Sequence, residues 1–415
     1  GEGFTMKGVD GTTAVTNSQN YVFTGKPNNG DINLPFGAGQ KYLVGNPYAS
    51  ALDADEFIRD NIKDGGRATT NVINGALYFW DHFGGYSHYL TDYVGGYATY
   101  TLMGGVVAVS NDPTTANTGQ TGNKIPKKYI PVSQGFFVSS SVDNTLIANN
   151  PNLTSPVTGG TLVFKNNQRK FARESGGNSI FIRPGEPMDD SAIDAREKIR
   201  ILFKSPSGTY RQLLVGADPN ASSYYDLAYD APMLDAKPED MYWQFGTSKF
   251  IIQALSNFNS DQKVPLGIKI ETPGVSTIKI DHLENIADYK EIYIYDVLTG
   301  ISHDLRASDF TITLAKGEYL DRFSLRFGKQ SVVVPESLQV YFASEDYTLN
   351  IKGNQSVIKE VYLFTILGQL AGKPEVENPT DMNIKIPIKH VAEGTYIIKV
   401  VSEDGVYTKK LIVEK

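Results

Sequence analysis

Apolar and polar residues alternate most regularly near the C-terminal end of the chain. Met382, Ile384, Ile386 and Ile388 are apolar, and Asn383, Lys385, Pro387 and Lys389 stand between and after them. Successive side chains of a strand point to opposite faces, so a period of two predicts a strand with one buried face. Pro387 has no N–H to give to a ladder, which places this strand at a sheet edge. Tyr347, Leu349 and Ile351 repeat the alternation, while the run 361–367 is more apolar and stops at Gly368-Gln369. The runs 395–401 and 406–413 flank Asp404-Gly405, a dipeptide that predicts a tight hairpin. Together these elements predict a small Ig-like β-sandwich over 337–415.

Upstream, strand-length apolar runs recur at 4–8, 21–25, 41–45, 75–80, 95–102, 106–109, 129–138 and 160–164. One helix interrupts them. Ser50 is its expected N-cap, Asp53 sits in its first turn, and Leu52, Phe57, Ile58 and Ile62 form an apolar stripe ending before Gly65-Gly66. The polar stretch 111–128 reads as a surface loop. Further strand candidates follow at 179–183, 198–204, 211–215, 250–254, 266–270, 277–280, 291–296, 310–314 and 323–327. Turn signals separate them at regular intervals, as in an antiparallel sandwich. Pro335 marks a linker at 329–336. The expected fold is therefore all-β: two consecutive β-sandwich or jelly-roll-like regions, 1–175 and 176–332, then the sandwich at 337–415.

Composition narrows the function. The chain of 415 residues holds 39 Gly, 24 Tyr and 20 Phe, which favours short strands and turns. Its net charge of −7 argues against nucleic acid as a partner. The absence of cysteine excludes disulfides, thiolate chemistry and Cys-based zinc sites. No apolar run approaches the ~20 residues of a membrane-spanning helix. Gly1-Glu2-Gly3 does not open a secretory leader, so Gly1 is expected to be a cut end and the chain the C-terminal part of a larger protein.

Candidate chemistry is sparse. Asp189, Asp190 and Asp194 form an acidic cluster in a loop that could wrap a Ca²⁺ ion, which takes oxygen ligands. Asp53, Asp55 and Glu56 offer the same ligands, but at a helix start, where stabilisation of the helix dipole explains them more simply. Asp218, Asp226 and Asp230 form a third group. His82 and His88, beside Asp81, could bind a metal or exchange protons, although their spacing is not the i,i+4 of a helical site. No nucleophile elbow, phosphate loop or dinucleotide fingerprint occurs, so no catalytic site is expected. The aromatic residues between Tyr78 and Tyr100 could stack on sugar rings or fill a sandwich core.

Three stretches carry a resemblance to a known family: 361–370, apolar and ending in a turn with Gly368; 393–400, Glu-Gly-Thr-Tyr-Ile-Ile-Lys-Val; and 407–415, Tyr-Thr-Lys-Lys-Leu-Ile-Val-Glu-Lys. In order and position they resemble the type A C-terminal sorting domain of cargo for the type IX secretion system of Bacteroidetes. One departure is Ala392, where that family usually has proline. The resemblance implies that Leu367, Gly368, Gly394, Tyr396, Ile398, Lys399, Val400, Lys409, Lys410, Leu411, Val413 and Lys415 form the sorting signal. It implies export through the periplasm, recognition by an outer-membrane translocon and a shuttle barrel, and attachment by a surface sortase. Recognition would use either the end of the last strand, by edge pairing or by capture of the terminus, or the sandwich face around Tyr396. The segments 43–50, 77–82, 95–97, 130–137 and 166–169 also resemble a module common in large Bacteroidetes surface proteins, which implies surface placement and names no activity. The expected protein is a secreted or surface cargo whose remainder is a non-catalytic adhesin or display module that contacts glycans. The alternative is a carbohydrate-binding or accessory region of a larger secreted enzyme.

Overall fold

Extended backbone dominates the computed structural model, as alternating Val, Ile, Tyr and Phe dictate. It describes residues 1–5, 22–84, 94–109, 124–143, 146, 150–151, 153–172, 194–328, 338–352, 357–366, 368–378, 383–403 and 405–414. The fold is all-β. Two compact units emerge: Gly1–Phe258 with Ile280–Ala287, and Asn259–Lys279 with Asp288–Lys415. The division expected at 175/176 and the linker expected at 329–336 lie outside the described residues, as do the candidate strand 179–183 and most of the polar stretch 111–128.

In the first unit a five-stranded antiparallel sheet runs in the order Lys41–Gly45, Gly135–Ser139, Leu77–Gly84, Val94–Thr101, Gly104–Val106. The helix Ala54–Asp60 supplies Phe57 to its core, 5.5 Å from Phe136 and 4.8 Å from Phe164 between ring centroids. The N-cap of this helix is Asp53, not Ser50. Its carboxylate accepts from the backbone N–H groups of Asp55 and Glu56, because Ser50 lies before a three-residue strand, Ala51–Asp53. Asn61 ties the helix end to strand Gly160–Phe164: its amide donates to the carbonyls of Phe57 and Val163 and accepts from the Val163 N–H. The expected strand at 21–25 is absent among the described residues 22–25, where Val22 and Phe23 face solvent and gain nothing from pairing.

The rest of this unit holds Lys198–Lys204, Tyr210–Ala217, Ser248–Leu255 and Asp240–Phe245, paired in that order. The pair Tyr210–Ala217 and Ser248–Leu255 is parallel, a departure from the antiparallel expectation. Both strands are buried almost along their whole length, as is usual for parallel strands covered on both faces. Asp240–Phe245 was not among the expected strands, although Met241-Tyr-Trp-Gln-Phe245 is rich in aromatic residues; its charged first residue is buried, and Arg211 grips Asp240 through two 2.8 Å hydrogen bonds.

The second unit contains Lys263–Ile270, Gly317–Arg326, Tyr293–Asp296 and Ile301–Asp304 as consecutive antiparallel neighbours, and the first part of strand Gly274–Glu284, up to Lys279, whose residues Gly274 to Ile278 pair with Phe310–Leu314. The turn at 297–300 is pinned by Asp296, whose carboxylate accepts two 2.9 Å bonds from Arg322 and one from the Leu298 N–H. The C-terminal sandwich completes the unit. One sheet orders Gln339–Ala343, Thr348–Lys352 and Asn383–Pro387, so the strand ending in Pro387 is at an edge, as its missing N–H requires. The other orders Leu370–Gly372, Ile358–Thr365, Gly394–Ser402 and Gly405–Val413.

Candidate functional site

The strand Gly394–Ser402 alternates strictly. Tyr396, Ile398 and Val400 enter the sandwich core with Val361, Leu363, Leu411 and Val413 from the flanking strands and Leu349, Ile351 and Ile384 from the opposite sheet. Ile398 and Val400 are fully buried, as period-two patterning demands. Tyr396 also faces inward, and its hydroxyl donates to the Ala392 carbonyl at 3.0 Å. The expected recognition face around Tyr396 is therefore interior rather than a surface open to a receptor.

The lysines divide the remaining work. Lys409 lies opposite Ile398, at a position whose parity points into the core. Its stem follows that face and its amine donates to the Val340 carbonyl at 2.8 Å, joining the edge strands of the two sheets. Lys399 points to the outer face. Its amine donates to the carbonyls of Val297 at 3.1 Å and Leu298 at 2.7 Å. Burial holds this amine below the usual lysine range, against the opposing pull of Asp296 and Glu360. Beside it Thr408 donates to the Thr299 carbonyl at 3.0 Å. The outer face of the sheet thus rests on the turn 297–300, and Phe364, fully buried outside the sandwich core, shows how closely this face is covered. Lys410 stays in solvent, next to Ile412, which is 56% exposed.

The two motif glycines are positions that side-chain-bearing residues rarely adopt. Gly368 has φ +74° and its carbonyl accepts from Arg322, while Gly394 has φ +154° at the start of its strand. Leu367 and Lys415 lie outside the described residues. The pattern found the strand residues and glycines of this site. It did not single out Thr408 or the turn 297–300, although Asp296-Val-Leu-Thr-Gly300 carries a turn signal that could have done so.

The other candidates separate. Asp189 and Asp190 lie outside the described residues, and Asp194 is ion-paired with Arg196 at 2.7 Å and Lys198 at 2.6 Å. Burial pushes the Asp194 carboxyl up, but these cations outweigh it and hold it well below the usual range. Asp53 and Asp55 share Lys128, and Glu56 pairs with Arg67. Asp218 accepts from Arg196, Asp226 from Ser222, and buried Asp230 from the Asp226 and Ala254 N–H groups. Asp81 pairs with Lys124, and His88 lies outside the described residues. Among the described residues no three His, Cys, Asp or Glu side chains converge as metal ligands.

Two family models match the chain. Residues 1–327 match a domain of unknown function (DUF8693), and residues 344–414 match the secretion system C-terminal sorting domain. No curated protein matches it.

Proposed function

The chain belongs to the DUF8693 family and carries a type IX sorting domain, and from these two premises we propose a surface adhesin or display protein whose last domain is its export and attachment address. The sorting domain over 344–414 carries this reading, since it marks the chain as type IX secretion cargo for the cell surface or beyond. The route runs through the periplasm. An outer-membrane translocon reads the exposed part of the address, and a surface sortase then attaches residues 1–327.

Geometry supports a choice of which part is read. Tyr396, Ile398 and Val400 are consumed by the core, and Lys399 and Thr408 by the turn 297–300. Lys410 and Ile412 remain on the outer face of Gly405–Val413, whose described partner on one side is Gly394–Ser402. A receptor can add its own strand to such an edge. The test compares culture medium with cell fractions. Deleting 344–414 leaves the protein inside the cell, and fusing 338–415 to a periplasmic reporter exports the reporter. Lys410→Glu with Ile412→Asp blocks export while the melting temperature stays unchanged. Secretion of the truncated chain at the full level would refute the address, and export of the doubly substituted chain would refute only the edge.

A further inference from the structure

One face of the five-stranded sheet changes character along a single strand. Side chains of Leu77–Gly84 alternate, so Tyr78, Trp80 and His82 share a face, while Phe79 on the other side fills the core beside Phe136. The shared face is closed at Tyr78, whose hydroxyl donates to the Pro232 carbonyl at 3.1 Å. Two residues on it opens: Trp80 is 37% exposed, and His82 is exposed as well.

Trp80 is braced from the side without being covered. Its register partner is Tyr97, and the two rings meet in a T-shaped contact with centroids 5.2 Å apart. Tyr97 makes a second such contact, at 5.6 Å, with Phe137 of strand Gly135–Ser139. Tyr97 and Phe137 are both half-buried, so each keeps part of its surface in solvent. Opposite His82 stands Gly95, where a Cβ would fall 2.6 Å from the Trp80 Cζ2. The indole therefore leans across the neighbouring strand, through the space that a side chain at residue 95 would fill. Apolar residues scattered singly are ordinary at a surface, but here three rings adjoin and lock one another.

Size and charge select the occupant. Trp80 exposes on the order of 100 Å², against the ~800 Å² that each partner gives to a stable protein interface, so the rings are too small a seat for a protein. The net charge of −7 disfavours a phosphate backbone. The Tyr97 N–H donates to the Asp235 carboxylate at 3.4 Å, and that carboxylate is already paired with Arg211 and Lys237, so it does not call for an ionic ligand. An indole framed by a phenol hydroxyl and imidazole nitrogens suits a ring with C–H groups on one face and hydroxyls at its rim. An open sheet face, unlike a pocket, accepts a residue within a chain as readily as a chain end. We propose that this face binds a neutral polysaccharide, one hexopyranose of which stacks on Trp80 and pairs a hydroxyl with that of Tyr97. The proposal rests on the adhesin reading of residues 1–327 and names its ligand.

Trp80 is its own reporter. The other tryptophan, Trp243, is fully buried, and its indole N–H donates to the Leu214 carbonyl at 2.9 Å, so acrylamide quenches Trp80 in preference to it. The full chain is titrated with cellohexaose, mannohexaose, maltohexaose and chitohexaose. At least one of them protects Trp80 from quenching in a saturable way. Calorimetry then measures its affinity for two variants. Trp80→Ala, at an exposed position, weakens binding about tenfold or more while the urea midpoint stays near wild type. Tyr97→Phe keeps the ring contacts and weakens binding about fivefold, the loss of one neutral hydrogen bond. Absence of protection by all four sugars overturns the proposal, and so does undiminished binding in either variant. These failures spare the adhesin reading, which is tested separately: undiminished adhesion by cells lacking the gene refutes it.

Discussion

Replacing Gly368 by alanine separates a backbone requirement from a sequence habit. At φ +74° a residue with a Cβ is strained by about 1–3 kcal/mol. The added Cβ would also stand 3.0 Å from the Ile312 Cδ1 and 3.3 Å from the Arg322 Nη2. Both are ends of side chains that can yield, so the contact adds only about 1 kcal/mol, the low end of overpacking costs. The expected loss is about 2–4 kcal/mol. A domain of about 70 residues, at ~0.05–0.15 kcal/mol per residue, has ~4–10 kcal/mol in total, so this loss populates the open domain visibly. Tryptophan fluorescence cannot follow it, because Trp80 and Trp243 are both far upstream. Hydrogen exchange of the amides in Gly394–Ser402 can, and their protection should fall about 30-fold or more. Gly372→Ala is the control. Its φ is ordinary and its Cβ would meet nothing nearer than the His390 Nε2 at 3.9 Å, so protection should stay within about threefold. Equal effects at the two glycines would refute the argument from left-handed geometry.

Three further outcomes follow from the same reasoning. Ile398→Ala empties a fully buried core position and should cost about 2–5 kcal/mol and abolish export, whereas Ile412→Ala should leave exchange protection within about 0.5 kcal/mol of wild type. Arg211→Met strands the buried Asp240 carboxylate and should lower stability to urea by about 3–5 kcal/mol; a change below ~1 kcal/mol would show that this pair is not buried in solution. Burial pushes the Asp60 carboxyl up, but Arg67, Gln168 and Lys165 outweigh it and hold it below its ordinary value. Its contribution is therefore present above the unfolded carboxylate pKa and lost as pH falls through the folded one, so the urea midpoint of Asp60→Asn should fall less on acidification than that of wild type.

The all-β class and the C-terminal sandwich were legible because one buried face writes a period of two into the sequence. Asn383 to Ile388 shows this, and Pro387 disclosed the edge by what it lacks. The aromatic run Met241-Tyr-Trp-Gln-Phe245 carried a strand signal, but the burial of Asp240 at its start was illegible, because its partner Arg211 is distant in sequence and only tertiary pairing makes a buried aspartate affordable there. The parallel pairing of Tyr210–Ala217 with Ser248–Leu255 left no local trace, since the apolar pattern within a strand does not state the direction of its neighbour. In the sorting domain the motif identified Lys399 and Lys409 but could not distinguish their tasks. One amine bridges sheets and the other holds a turn, and both depend on carbonyls that bear no side-chain signature.

The hairpin of Gly394–Ser402 and Gly405–Val413 has a kinetic consequence. Its nine register pairs close across a two-residue turn, so every contact within it is local in sequence. Ile358–Thr365 and Asn383–Pro387, by contrast, must each find a strand some thirty or more residues away. Local hairpins form in about 1–10 μs, and contacts that close longer loops come later. The strand bearing Lys410 and Ile412 is therefore organised while the sandwich around it is still open. In the proposed recognition the receptor's edge is thus the earliest part of the domain to take shape, and closure of the core behind it holds that edge for export.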